Sequence, residues 1–154
     1  LIGWFLHSAS VQGYSQVLLK SALQDFKAAD LMDRNFISVS PELPVERLVH
    51  DYILKQRERV FLVTDQDAFL GLVCLEDVKK FPRARWPELR VSDIMTPVEK
   101  IISIRPEATG EEVLNSLVNN EVNQLPVLEN GRVIGIITRT DLLRILQLRT
   151  DLGL

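Results

Sequence analysis

One internal repeat constrains this chain more than any other feature of its sequence. Met32 and Met95 are 63 positions apart, Pro41 and Pro106 65, and Asp77 and Asp141 64. Around these landmarks the order helix, strand, helix, strand, strand, helix runs twice. Copies this short rarely bury enough apolar surface by themselves, so the two are expected to pack face to face. The expected fold class is α/β (α+β), with pseudo-twofold symmetry. Each copy should hold a small three-stranded sheet packed by helices, with a ligand-sized cleft between the halves.

Local patterns divide the chain further. Val11, Tyr14, Leu18, Leu19, Ala22 and Leu23 predict an amphipathic helix over residues 8–24. Residues 1–26 then read as an N-terminal helix and juxtamembrane linker, 27–82 as the first domain and 91–149 as the second. Between them, residues 83–90 carry Arg83, Arg85 and Pro87 and read as a linker. Asn130-Gly131 predicts a two-residue hairpin turn, and Asp65 to Ala68 its polar counterpart. Thr109 to Glu112 predicts a capping box opening a helix.

The second copy ends in Gly135-Ile136-Ile137-Thr138-Arg139-Thr140-Asp141. A β-branched run closing on Thr-x-x-Asp reads as a buried strand followed by a helix start. A helix start exposes unpaired N–H groups and the positive end of the dipole, which favour a phosphate. The hydroxyl and carboxylate beside it are the groups that phosphate and ribose require. The same residue pair is also a capping box, in which both side chains satisfy only the backbone.

Charge and cysteine usage narrow the functional classes. The net charge of −3 and pI near 5.4 supply no basic field for nucleic acid. Cys74 is the single cysteine and lies in an apolar run, so no internal disulfide forms, and a reducing compartment fits. No apolar run reaches the roughly 18 residues needed to span a bilayer. The chain starts in a hydrophobic stretch without Met, so it is read as a fragment, with a membrane segment expected to end just before or within residues 1–6. His7 and His50 have no partners at ligand spacing, and the chain holds no His-Glu-x-x-His, so neither a metal site nor a catalytic set is expected.

Residues 27–149 resemble a tandem pair of cystathionine β-synthase (CBS) domains, a Bateman module. The matching features are Asp93-Ile94-Met95-Thr96, Leu125-Pro126-Val127, the Gly131 turn and Gly135-Ile136-Ile137-Thr138-x-x-Asp141, in that order. The resemblance implies a regulatory module binding AMP, ADP, ATP or S-adenosylmethionine. It implies that Asp141 accepts from ribose hydroxyls and that Thr138 and Thr140 meet phosphate. Val122, Asn123 and Gln124 would border the adenine, with Ser103 opposite. The first copy departs from this pattern, with Cys74 at the place of Thr138, Leu62 at that of Pro126 and Glu58-Arg59-Val60 at that of Val122-Asn123-Gln124. Its site, made of Ser38, Arg59, Val60 and Asp77, is expected to be the weaker. There Glu58 would repel a phosphate and Arg59 attract one.

Gly3-Trp4-Phe5-Leu6, Ala9 and Tyr14 ahead of such a pair resemble membrane zinc metalloproteases of the site-2-protease type. That resemblance implies a place on the cytoplasmic side of the membrane, with the zinc motif elsewhere in the chain. It also implies that the pair controls the attached protease, while the CBS resemblance implies assembly as a homodimer through its helices. The alternative is a structural or dimerisation module with no small-molecule ligand.

Overall fold

The computed structural model describes residues 20–154. The expected helix over residues 8–24 therefore lies largely outside the described residues, of which 20–22 are helical. In chain order the elements are α1 (Ala28–Leu31), β1 (Ser38–Val39), then a helical stretch α2 over residues 45–56. There follow β2 (Val60–Asp65), β3 (Ala68–Cys74), α3 (Leu75–Lys79), α4 (Val91–Ile94) and β4 (Thr96–Pro97). The chain closes with α5 (Gly110–Asn119), β5 (Gln124–Glu129), β6 (Arg132–Thr138) and α6 (Arg139–Asp151). The middle of α2, Leu48–Ile53, is wound as a π-helix.

These elements form two compact units, and the units divide the chain differently from the repeats. One unit is Asn35–Ile101; among the described residues the other is 20–34 with 102–154. The chain passes between them at 34–35 and again at 101–102. Each unit is therefore completed by a segment that precedes the other repeat in sequence.

Unit 35–101 holds a four-stranded sheet in the order β1-β2-β3-β4. The expected sheet had three strands; the fourth, β4, joins antiparallel to β3 through Gly71↔Pro97 and Leu72↔Thr96. β1 runs parallel to β2, and β2 and β3 form a hairpin. Phe61, Leu62 and Val63 are consecutive and all buried, as a strand covered on both faces requires. Val45, Leu48, Val73, Val78, Val91 and Ile94 close the core around Phe61, whose ring meets Tyr52 edge-on at 6.0 Å. The stretch 83–90, expected as a linker, is bound into this unit. Leu89 is buried, its carbonyl accepts from Val45 N at 2.8 Å, and Val91 N donates to Leu43 O at 2.8 Å.

The other unit repeats the plan with shorter pairings. The hairpin β5–β6 matches β2–β3 residue for residue at an offset of 64, down to the register shift after Val127 and Val63. Its flanking strands shrink to single bridges, Ile104↔Val127 parallel and Asp33↔Ile136 antiparallel. Pro126 accounts for the first. Leu62 donates its N–H to Ile37 O at 2.9 Å, whereas Pro126 at the equivalent place has no N–H to give. Leu23, Ala28, Leu31, Met32, Val113, Leu117, Leu125, Ile137 and Leu142 form this core.

Two glycines permit the leading segments to dock. A Cβ on Gly71 would collide with the Thr96 backbone carbonyl, and one on Gly135 would enter the Met32 side chain. The hairpin tips both place two residues in the left-handed region, Gln66 and Asp67 at φ 50° and 68°, Asn130 and Gly131 at 54° and 78°. That is the type I′ turn, which Asn-Gly suits and Gln-Asp does not.

Two outcomes are expected. Changing Gln66→Asn with Asp67→Gly should stabilise the protein by about 1 kcal/mol, since a non-glycine residue in the left-handed region costs roughly 1–2 kcal/mol. A calorimetric melting temperature unchanged or lowered would contradict it. Cutting the chain between 90 and 91 should leave neither piece with a cooperative melt by circular dichroism. The first piece loses Val91 and Ile94 from its core and the second loses Leu23, Ala28, Leu31 and Met32. Removing even one such side chain costs about 2–5 kcal/mol, against a total stability of about 5–15 kcal/mol.

Candidate functional site

The second repeat gathers its candidate residues where the hairpin opens and α6 begins. Gln124 and Thr138 are direct partners in the β5–β6 register. One residue further out, Arg139 N donates to Asn123 O at 3.1 Å, so the 122–124 segment is tied to the helix start. Thr140 and Asn123 are exposed, while Val122, Gln124, Thr138 and Asp141 are half-buried. Ser103 is exposed, one residue before the Ile104 bridge to β5.

Thr138 and Asp141 form the capping box. Thr138 N donates to Asp141 Oδ2 at 3.0 Å, and Asp141 N donates to Thr138 Oγ1 at 3.2 Å. The cap engages one carboxylate oxygen. Among the described residues, Asp141 Oδ1 accepts no hydrogen bond. A capping box thus leaves the second carboxylate oxygen without a partner for a hydroxyl donor to meet, and the two readings of Thr-x-x-Asp are compatible.

Arg139 is the residue that sequence reasoning passed over as a variable position. Its Nε donates to Val122 O at 2.8 Å and its Nη2 to Leu117 O at 2.9 Å. No motif pointed to it, because only folding brings the end of α5 to the start of α6.

The first repeat builds the same junction with different chemistry. Val60 pairs with Cys74 as Gln124 does with Thr138, and Leu75 N donates to Arg59 O at 2.8 Å as Arg139 N does to Asn123 O. Asp77 is buried and its Oδ2 accepts from Cys74 N at 2.9 Å and from the thiol at 3.3 Å. Its Oδ1 faces Lys80 Nζ at 3.9 Å. The guanidinium of Arg59, read in sequence as available to attract phosphate, is paired with Glu76 Oε1 at 2.6 Å. Glu76 stands where the second repeat has Thr140. Ser38 is exposed on β1 and Val60 half-buried at the start of β2. A carboxylate paired with Arg59 thus stands in this half where the second repeat has the Thr140 hydroxyl.

Burial, followed by the Asp77 carboxylate, raises the Cys74 thiol above its ordinary range. The unfolded chain therefore ionises first, and stability present below about pH 8.5 is lost as pH rises beyond it. Replacing Cys74→Thr should reduce the drop in melting temperature between pH 8 and pH 10 relative to the parent. Equal drops in the two proteins would count against that assignment.

Among the described residues no group of three or more His, Cys, Asp or Glu is arranged to hold a metal ion. No helix among them is long and apolar enough to cross a membrane.

Comparison with known proteins follows the same outline. The CBS domain family model matches residues 28–83 and 91–148. Zinc metalloprotease MJ0392 of Methanocaldococcus jannaschii is 26% identical over 155 residues, spanning 99% of this chain and 42% of that protein. The protein sll0528 of Synechocystis sp., which also carries a zinc metalloprotease name, is 27% identical over 96% of this chain and 40% of its own length. The chain thus spans about two-fifths of the curated relatives it matches. The crystal structure of CBSX2 in complex with AMP superposes with a TM-score of 0.65 at 22% identity, covering 82% of this chain and 98% of that one. With the family model matching both repeats and the hairpins of the two units in one register, the chain belongs to the CBS domain family, as a tandem pair.

Proposed function

We propose that this CBS pair is a regulatory module that binds an adenosine-containing nucleotide at the second repeat and sets the state of an attached zinc metalloprotease domain. The observation that carries the reading is the half-used carboxylate of Asp141. The cap takes Oδ2 and leaves Oδ1 without a hydrogen bond among the described residues, while the neighbouring Thr140 is exposed in the first turn of a 13-residue helix. A ribose diol donates to a carboxylate, while phosphate meets hydroxyls and helix N–H groups. Val122, Asn123 and Gln124 border the same corner, and Ser103 precedes the Ile104 bridge to β5. The AMP in the CBSX2 structure supports an adenosine ligand. The metalloprotease names of relatives matched over nearly this whole chain support the attached domain.

Regulation in this scheme requires the nucleotide to prefer one state of the attached domain over the other, since equal affinity shifts nothing. The ligand class is AMP, ADP, ATP or S-adenosylmethionine. The module works as a homodimer through its helices, on the cytoplasmic side of the membrane that holds the protease. A second reading, a purely structural or dimerisation module, draws on the capping box itself, because a cap explains Thr138 and part of Asp141 without a ligand.

A thermal-shift titration with the four compounds separates the two. Ligand at about 100 times its dissociation constant stabilises by roughly 2.7 kcal/mol, a rise of several degrees for a chain this size. Asp141→Ala should abolish the shift. Asp77→Ala removes the equivalent cap in the other unit, costing about 0.5–2 kcal/mol, and should leave the shift intact. No shift with any of the four compounds, in a cooperatively folded parent, would sink the nucleotide reading and favour the structural one.

A further inference from the structure

We infer that Arg139 is the positioning residue of the second repeat's site, holding the segment that borders the base in register with the segment that holds ribose and phosphate. The inference rests on the nucleotide reading above and names what gives that site its preference for a base.

Three hydrogen bonds from this one residue converge on a single stretch of backbone. Its N–H takes Asn123 O, its Nε takes Val122 O at 2.8 Å, and its Nη2 takes Leu117 O at 2.9 Å. Leu117 lies in the last turn of α5, where carbonyls lack intrahelical partners and a cation suits the helix dipole. Between Leu117 and Val122 the chain turns through Glu121 at φ 52°, a left-handed conformation that a glutamate does not favour by itself. The planar guanidinium spans both sides of that turn, accepting no change in its spacing.

The guanidinium donates to the Val122 carbonyl and to the Leu117 carbonyl of α5, and among the described residues it makes no bond to Asp141. Its clamp therefore acts on residues 121–123, the base side, and not on the Thr138–Asp141 cap, whose hydrogen bonds are made without it. The first repeat supplies the contrast. Leu75 replaces Arg139 there, and the equivalent left-handed residue, Arg57 at φ 58°, is followed by a segment whose arginine, Arg59, turns outward to Glu76. The base-side segment of the first repeat has no such clamp among the described residues.

Arg139→Lys keeps the positive charge and shortens the reach, so it loosens the clamp while leaving the field at the helix start unchanged. AMP and ribose 5-phosphate are the two probes, titrated by NMR against parent and variant. The base-free probe needs only the cap side. AMP affinity should fall by about tenfold or more, while ribose 5-phosphate changes by less than about twofold. Without any ligand, backbone amides of residues 120–124 should exchange faster in the variant, with the rest of the chain unaltered. Equal weakening of both probes, or of neither, overturns the positioning role and leaves the nucleotide reading standing. Unchanged exchange at 120–124 overturns the clamp itself. A parent chain that binds neither probe overturns the nucleotide reading and this inference together.

Discussion

Each unit depends on a leading segment seated against the outer strand of its hairpin, over a glycine. In one, Thr96 lies against Gly71; in the other, Met32 lies against Gly135. The approach is close enough that no side chain fits beneath, and the sheet's last hydrogen bonds form there. Because each segment comes from ahead of the other repeat in sequence, neither unit is built from one continuous stretch. Burial of Val91 and Ile94 on one side, and of Ala28, Leu31 and Met32 on the other, makes the two repeats necessary to each other.

The two hairpins carry that frame with the same register and the same irregularity, yet their open ends differ in chemistry. Thr138, Thr140 and Asp141 give the corner two hydroxyls and a carboxylate of which the cap engages Oδ2. Cys74, Glu76 and Asp77 turn the same corner into a thiol, an ion pair and a buried carboxylate whose oxygens face the protein. An arginine serves both corners, but from opposite sides. Arg139 reaches inward to backbone carbonyls, while Arg59 reaches across to a side chain. The Arg59–Glu76 pair is well exposed, so its contribution to stability is small. Its consequence is local: it spends the cation that would otherwise face an anion.

Much of this was legible before folding. A constant offset between matching landmarks located two copies, their strands and their turns, because hydrophobic period and turn chemistry are local properties. The Thr-x-x-Asp cap was legible for the same reason, its partners being three residues apart. The fourth strand was not. β4 is two residues long and includes a proline, so no periodicity marks it, and only its fit over Gly71 makes it a strand. The packing of residues 83–90, expected as a linker, was not legible for a related reason. Pro87 and its arginines read as solvated, while Leu89 is buried and its carbonyl accepts from Val45 N, more than forty positions earlier.

The sequence by itself therefore determined the repeated elements, the hairpin turns, the caps at Thr109 and Thr138 and the residue types at each candidate site, since all of these rest on near neighbours in the chain. Tertiary structure decided which copy's leading segment completes which sheet and where Arg59 and Arg139 spend their charges. Those outcomes rest on groups 17 to 22 residues apart in the arginine contacts and more than a hundred apart where Asp33 meets Ile136. At such separations no local propensity acts, and only close packing fixes the partner.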